Sequence, residues 1–440
     1  MILTKILTKL DLKLYMLKIN KAIFLILVIS FCFSQGRMNA FGIGHYYYNQ
    51  GAKNAMDGVS ELSPSFQNNI SLSNPSTWHE LKFTFLSLSY SGNVSSVNSL
   101  LLSNGYSGLS KAMWVVPIKS KSSFGVSLEP YSDQRVTLKD QDTLSFFAFD
   151  TSYNYARSFK RSGGLLLFKL GTSYKINKNI SLGYSYNILF GSSRQNESLF
   201  FDGSSVVQSS RSRYNGIFND LFLGISLLED LKIFSMYRYT IQSLGAAFDE
   251  KHLYDDANDN GYHDYTPPYL DFPFPDSVSA YSNEFRIYDL HNPTGFKLAL
   301  NKYFTSRALI AIEIGEIKDK GKNQTKLRLP INNWINLTKS YKLSFNYYPN
   351  RFSLKFFDKF LLHTGFVYYE HLLKSNLQKI NELGLSFGIG FKFKPVGNQI
   401  NINYYFGTRK YSDISYNESI QQIQLGISLA DIWFVKRRQK

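Results

Sequence analysis

Gly164-Leu165-Leu166-Leu167-Phe168-Lys169-Leu170-Gly171-Thr172-Ser173-Tyr174-Lys175-Ile176-Asn177-Lys178-Asn179-Ile180-Ser181-Leu182-Gly183-Tyr184-Ser185-Tyr186-Asn187-Ile188-Leu189-Phe190-Gly191 is the stretch that decides the fold. After the middle of it, Ile180, Leu182, Tyr184, Tyr186, Ile188 and Phe190 fall on one face, with Ser181, Gly183, Ser185 and Asn187 on the other. Before the middle, Phe168, Leu170, Tyr174 and Ile176 oppose Lys169, Gly171, Ser173 and Lys175 in the same way. Period-two alternation of this length predicts a β-strand with one apolar face. Roughly 9–11 residues is also what a tilted strand needs to cross a bilayer. Asn177 and Asn179, residues that tolerate positive φ, predict a tight hairpin between the two strands. A soluble sandwich buries its apolar face in a core. A membrane barrel turns that face to lipid and lines its lumen with Gly, Ser, Asn and Lys, as here.

The rest of the composition fits a large barrel. The 440 residues include 31 Tyr and 36 Phe, aromatics making up 16% of the chain, yet mean hydropathy is only −0.21. Alternation dilutes hydropathy, and aromatic girdles raise the Tyr and Phe content of barrels. Past the first 40 residues no apolar run reaches the length of a spanning helix, about 18 residues. Lys18 and Lys21 precede the apolar run Ala22–Phe31, and Cys32 and Ser34 are small residues before a cut at Gln35. Residues 1–34 therefore read as an export signal, with Met1 or Met16 as its start. Cleavage would remove the single cysteine, and with it disulfide, thiol and Cys-metal chemistry. It would also remove five Lys and Asp11, lowering the formal net charge by four, from +16 to +12. That charge reads as solvated loop and lumen lysines or as contact with anionic headgroups and sugars. No basic motif suggests nucleic acid.

Taken in order, residues 35–80 read as a segment ahead of the barrel, residues 81–434 as the barrel and residues 435–440 as a basic tail. Alternation predicts strands at Leu81–Tyr90, Leu109–Lys119, Ser122–Tyr131, the two strands of the quoted hairpin, Gly216–Leu228, Leu231–Ile241, Gly295–Phe304, Ala308–Ile317, Tyr341–Tyr348, Phe360–Leu372, Ile380–Lys394, Gln399–Tyr411 and Gln421–Phe434. The expected fold is thus all-β, a transmembrane antiparallel barrel of about 14 strands with an N-terminal plug. If the first strand runs outward, the links at Ser120-Lys121, Asn177–Asn179, Glu229-Asp230, Thr305–Arg307, Pro349–Lys359 and Pro395–Asn398 face the periplasm. The alternate links, including Ser91–Gly108, Ser192–Asn215, Gln242–Thr294 and Lys318–Ser340, are mostly long, as outer loops are. Ser132–Gly163 must then be one outer loop, although Leu144–Phe149 has strand character.

Gly51-Ala52-Lys53-Asn54-Ala55-Met56-Asp57-Gly58-Val59-Ser60, followed by Asn74-Pro75-Ser76 just before the first strand, resembles the N-terminal signature of FadL-type long-chain fatty-acid and hydrocarbon transporters. That family has a Gly-Gly pair after the Met and ends its plug with Asn-Pro-Ala; Asp57 and Ser76 depart from it. The signature also resembles PorV-type barrels of a bacterial secretion system. The resemblance implies a bacterial outer-membrane location, a hatch formed by Phe41–Trp78, entry of hydrophobic ligand from outside, and lateral release. Gly51, Ala55, Met56, Gly58, Asn74 and Pro75 would be the hatch motif. Taken on its own, Asn74-Pro75 is also an ordinary turn into the first strand.

Asp256-Ala257-Asn258-Asp259-Asn260-Gly261-Tyr262-His263-Asp264 has the spacing of a calcium loop. Asp256, Asn258, Asn260 and Asp264 would give side-chain oxygens and Tyr262 its carbonyl, but Pro267 stands where the bidentate Glu belongs. The alternative is a solvated turn. Downstream, Tyr265–Pro275 is rich in proline and aromatics, either a lid or packing between loops. No G-x-S-x-G or H-E-x-x-H occurs, so no catalytic residue is assigned. Lys169, Lys175, Lys232, Arg238, His363, Glu382, Lys392 and Lys394 read as a hydrated lumen wall. Trp433-Phe434 would serve recognition by the barrel assembly machinery, although Val435–Lys440 follow it and depart from barrels that finish on a terminal aromatic. The expected partners are outer-membrane lipid and a hydrophobic small-molecule ligand, and no cofactor other than calcium is expected. Three functions compete: passive uptake of small hydrophobic molecules, a non-transporting scaffold or secretion-system subunit, and a calcium-stabilised adhesin. An apolar pocket in the lumen distinguishes the first from the second.

Overall fold

A computed structural model describes residues 37–47, 55–97, 102–119, 121–139, 144–148, 151–201, 204–256, 258, 264–268, 270–272, 284–327, 329, 331, 333–350, 353, 355–374, 378–393, 398–412 and 417–431. Fourteen antiparallel strands close into one barrel. They are β1 (Thr84–Val97), β2 (Leu102–Lys119), β3 (Ser122–Asp133), β4 (Thr151–Lys175), β5 (Ile180–Phe201), β6 (Ser204–Ser226) and β7 (Leu231–Asp255). The second half is β8 (Pro293–Thr305), β9 (Ala308–Asp319), β10 (Ile335–Tyr347), β11 (Phe360–Leu373), β12 (Lys379–Lys392), β13 (Gln399–Tyr411) and β14 (Asn417–Asp431). Each strand pairs with its neighbour in sequence, and β14 returns to β1 with Asp431 opposite Thr84 and Glu418 opposite Val97. Closure leaves no edge, so every strand finds its backbone partners inside the bilayer.

The two faces of each strand are inverted relative to a soluble protein. On β12, Leu383, Leu385, Phe387 and Ile389 are exposed at 44–56%, while Glu382 and Ser386 between them are 1% and 3% exposed. The same holds for Ile400, Ile402 and Phe406 on β13 and for Ile423, Leu425 and Leu429 on β14. Such a belt of outward leucine, isoleucine and phenylalanine is stable only against hydrocarbon. No described helix is long and apolar enough to cross a membrane, and the chain crosses with strands. The protein is a multi-pass outer-membrane barrel.

All fourteen expected strands are present, and their periplasmic ends lie close to the expected positions. Their outer ends run further. β4 starts at Thr151 rather than near Gly164, β7 ends at Asp255 rather than Ile241, and Ser192–Asn215 is the top of the β5–β6 hairpin rather than a loop. Hydrocarbon enforces apolar alternation only across its own thickness. Above it both faces meet water or lumen, so Ser204–Arg213 stays in the sheet without an apolar stripe. Ser132–Gly163 is likewise not plain loop: Val136–Lys139 and Leu144–Ala148 pair with the raised part of β4. They extend the wall in line above β3 and add no crossing. Glu284–His291 does the same against the top of β7.

The Asn177–Asn179 turn is tight for a different reason from the expected one. Asn177 Oδ1 accepts from the Asn179 and Ile180 N–H groups at 2.9 and 2.7 Å. The described non-glycine residue with positive φ is Asp289, not a residue of this turn.

Candidate functional site

The lumen is the candidate site, and the described residues of the chain that precedes β1, 37–47 and 55–80, pack against inward side chains of the barrel. Residues 37–47 lie in its outer half. Met38, Phe41, Ile43 and Tyr46 pack with Leu165, Leu167, Phe218, Leu244, Ile287 and Trp334, all buried. His45 and Tyr46 form a short antiparallel pair with Asp133 and Ser132 at the top of β3. Arg161 donates to the Gly42 carbonyl at 2.6 Å. Tyr46 stacks on His291 with ring centroids 5.2 Å apart, and His291 contacts Tyr131 Oη at 2.7 Å and Asp319 at 2.8 Å. Arg409 holds Glu382 and Glu418 at 2.7 and 3.1 Å and reaches His45 at 3.4 Å.

Midway, the segment is held by charge. Lys111 lies 3.6 Å from Asp57 and 3.7 Å from Glu129, and Ser73 donates to Asp57. Lys297 pairs with Glu61 at 2.8 Å, and Lys342 pairs with Glu313 at 3.2 Å. Glu313 also accepts from Ser60 Oγ at 2.6 Å and from the Leu62 N–H at 3.0 Å, and Ser63 donates to Asn301 at 2.6 Å. Buried charges in a low-dielectric interior must be paired in this way to be tolerated.

Toward the periplasm the segment is keyed by shape. Asn74 caps the short 3₁₀ turn Pro75–Glu80, its Oδ1 accepting from Ser76 N–H and Oγ at 3.1 and 2.7 Å, and its amide donates to the Leu62 carbonyl at 2.9 Å. Trp78, 1% exposed, lies against Gly125 and Gly171, where an added Cβ would come within 2.7 and 2.6 Å of its ring. Those glycines face each other across β3 and β4. Gly183 on β5 leaves room for Pro75 and Ser76.

The described residues of the expected hatch motif contact the wall at separate points, Pro75 beside Gly183 on β5 and the others elsewhere. Met56 is fully buried against Gly426, as is Ala55, and Gly58 faces Asn346 and His363. Gly51 lies outside the described residues. The two departures from the FadL-type pattern have local reasons: Asp57 pairs with Lys111, and Ser76 satisfies the Asn74 side chain.

The hydrated-wall reading of the inward charges is corrected. Lys169, Arg238, His363, Glu382 and Lys392 are at most 9% exposed. Lys169 donates to the Ser73 carbonyl at 3.4 Å, Arg238 to Asp220 at 2.7 Å, and Lys232 to Asn69 at 2.9 Å. Lys175 lies 3.4 Å from Glu80, and Lys394 lies outside the described residues. Lys169, Arg238 and Glu382 thus meet the segment or one another instead of water, whereas Lys175, Lys232 and Lys392 line cavities at the ends of their strands. Alternation along a strand shows which side chains point inward but carries no information on what fills the interior.

Of the calcium-type loop, Asn260 and Tyr262 lie outside the described residues. Asp256 is buried and its carbonyl accepts from Ser205 at 2.8 Å. Asn258 turns its amide to Asp264 at 2.7 Å, and the Asp264 N–H donates to Asp271 at 2.8 Å. The described residues of the loop are tied by hydrogen bonds, and among the described residues no group of His, Cys, Asp or Glu is placed to hold a metal. The end of the chain with Trp433-Phe434 also lies outside the described residues.

A family model described as BamG matches residues 16–440. The chain belongs to the BamG family. No curated protein matches it. Among solved structures, the CymD monoaromatic hydrocarbon channel aligns at 14% identity over 89% of this chain and 99% of that one, with a TM-score of 0.52. A Pseudomonas aeruginosa FadL homologue aligns at 12% identity over 90% of this chain and 98% of that one, with a TM-score of 0.50. At such identities the likeness is one of fold, and this BamG-family barrel has the FadL-type fold.

Proposed function

We propose that this barrel is a passive, non-enzymatic route for small hydrophobic molecules entering from outside, with residues 37–80 as its plug. The observation that carries the reading is the apolar outer lumen. Its wall is Leu165, Leu167, Phe218, Leu244 and Ile287, and side chains of the preceding segment cover it: Met38, Phe41 and Ile43. A hydrophobic solute competes for that same surface, the bond from Arg161 to the Gly42 carbonyl and the pairing of His45 and Tyr46 with β3 being the polar contacts it must spare. The solved channels of like fold, titled for monoaromatic hydrocarbons, support the reading. Trp334 reports on the test, being buried beside Gly42 in this region. A brominated alkane or fatty acid added to the protein in amphipol should quench a fluorescence component that Trp334→Phe removes. Quenching unchanged in Trp334→Phe would sink the uptake reading.

A second reading rests on family membership over nearly the whole chain. The BamG name links it to barrel assembly machinery, for which a barrel sealed by paired charges is a suitable component. Native mass spectrometry after gentle extraction separates the two. Bound hydrophobic ligand supports uptake; co-purified assembly proteins on a ligand-free barrel support the second.

A further inference from the structure

The periplasmic mouth carries a feature that neither reading uses. Between residues 66–70 of the segment and the turns at Ser306-Arg307 and Pro349-Asn350 lies a cavity of about 440 Å³, within the range of ligand sites. A smaller one, about 40 Å³, lies beside it, and Asn69 and Glu80 line both. Lys82, Arg307 and Lys392 line the larger and Lys175, Lys178 and Lys232 the smaller, with Glu80 the carboxylate among the described lining residues. Glu80 is already engaged, with His79 at 3.3 Å and Lys175 at 3.4 Å. The hydrogen bond from His79 and the charge of Lys175 hold its carboxyl down at about 2 despite partial burial.

Arg307 is fixed in place. Its Nε donates to the Tyr348 carbonyl at 2.9 Å, Nη1 to Asp358 at 3.1 Å, and the guanidinium stacks on Tyr347 at 4.7 Å. Among the described residues its Nη2 has no hydrogen-bond partner, although buried guanidinium donors are normally satisfied. The rest of the lining is rich in side-chain amides: Gln67, Asn68, Asn69, Asn350 and Gln399 in the larger cavity, Asn177 and Asn179 in the smaller. Amides offer a donor and an acceptor together, which is what an extended peptide backbone requires. An alkyl chain would meet chiefly Phe66 and Ile70 here.

We infer that the two cavities form one docking groove for an extended acidic peptide segment of a periplasmic partner. Carboxylates of the peptide meet the lysines and Arg307, and its backbone pairs with the amides. The inference deepens the second reading by naming the partner's chemistry, and it holds or fails without any transport measurement.

The test uses the full chain in detergent and a short fluorescein-labelled peptide of alternating Glu and Ala, read by anisotropy. Lys82→Glu with Lys178→Glu is the variant, since both side chains are exposed and reversal should leave the barrel heat-modifiable. Binding should be salt-dependent, absent for the matching Lys/Ala peptide, and weakened about tenfold or more by the double reversal. Salt dependence in the unmutated protein is a readout that needs no variant. No binding, equal binding of the Lys/Ala peptide, or indifference to the reversals would overturn the groove. Displacement of the peptide by dodecanoate but not by unlabelled peptide would do the same, assigning the site to an amphiphile. If the peptide binds yet no assembly protein co-purifies from membranes, the groove stands and the assembly reading fails.

Discussion

Residues 37–47 and residues 55–80 both lead to the first strand, and both pack apolar side chains, but the balance of contacts that holds them differs. The outer length carries no carboxylate of its own and combines apolar contact, Met38, Phe41 and Ile43 against a leucine-rich wall, with hydrogen bonds at Gly42, His45 and Tyr46. The inner length is held by buried ion pairs at Asp57 and Glu61 and by a tryptophan seated on two glycines. Apolar contact is non-directional and can be exchanged for another apolar surface, including a solute's. A paired buried charge cannot be exchanged so easily, because removing one partner strands the other. The comparison therefore divides the segment into a displaceable outer part and a fixed inner part.

The largest expected effect is at the fixed part. Glu313→Ala leaves Lys342 without its nearest described carboxylate and frees the Ser60 hydroxyl and Leu62 N–H. The loss should be about 3–5 kcal/mol, visible as a lower urea midpoint in detergent. A change below about 1 kcal/mol would mean that the inner length is not locked by charge.

Phe41→Ala tests the other side of the comparison. The outer length can open without the barrel unfolding, so its loss belongs to a local equilibrium rather than the global one. The urea midpoint should move much less than for Glu313→Ala, while protease nicking near residues 37–47 and leak of small solutes through reconstituted barrels should rise. A fall in global stability equal to that of Glu313→Ala would erase the distinction between the two lengths.

The smallest effect is expected on the outward face, where the lumen contents do not matter. Leu385→Trp, facing lipid at 44% exposure, should be tolerated, and brominated acyl chains should quench it. An overpacking penalty of about 1–3 kcal/mol at that site would instead indicate a packed core and would undo the membrane assignment. Ser386, one residue along, is a sharper contrast than alternation alone suggests. It is 3% exposed and donates to Asn403 at 2.8 Å, so Ser386→Arg should be costly although the position is polar and inward.

The sequence by itself determined the wall. Period-two alternation, the parity of short and long links and the absence of an apolar helix-length run specified fourteen antiparallel strands with their apolar faces outward, because lipid contact is a local demand met residue by residue. What only the tertiary structure decided was the interior. Lys111 meets Asp57 across 54 positions of chain, and Trp78 meets Gly171 across 93. Inward Gly, Ser and Lys read the same along a strand whether they face water or a packed segment. Their partners are distant in sequence, so the choice between an open, hydrated lumen and a filled one was settled by packing.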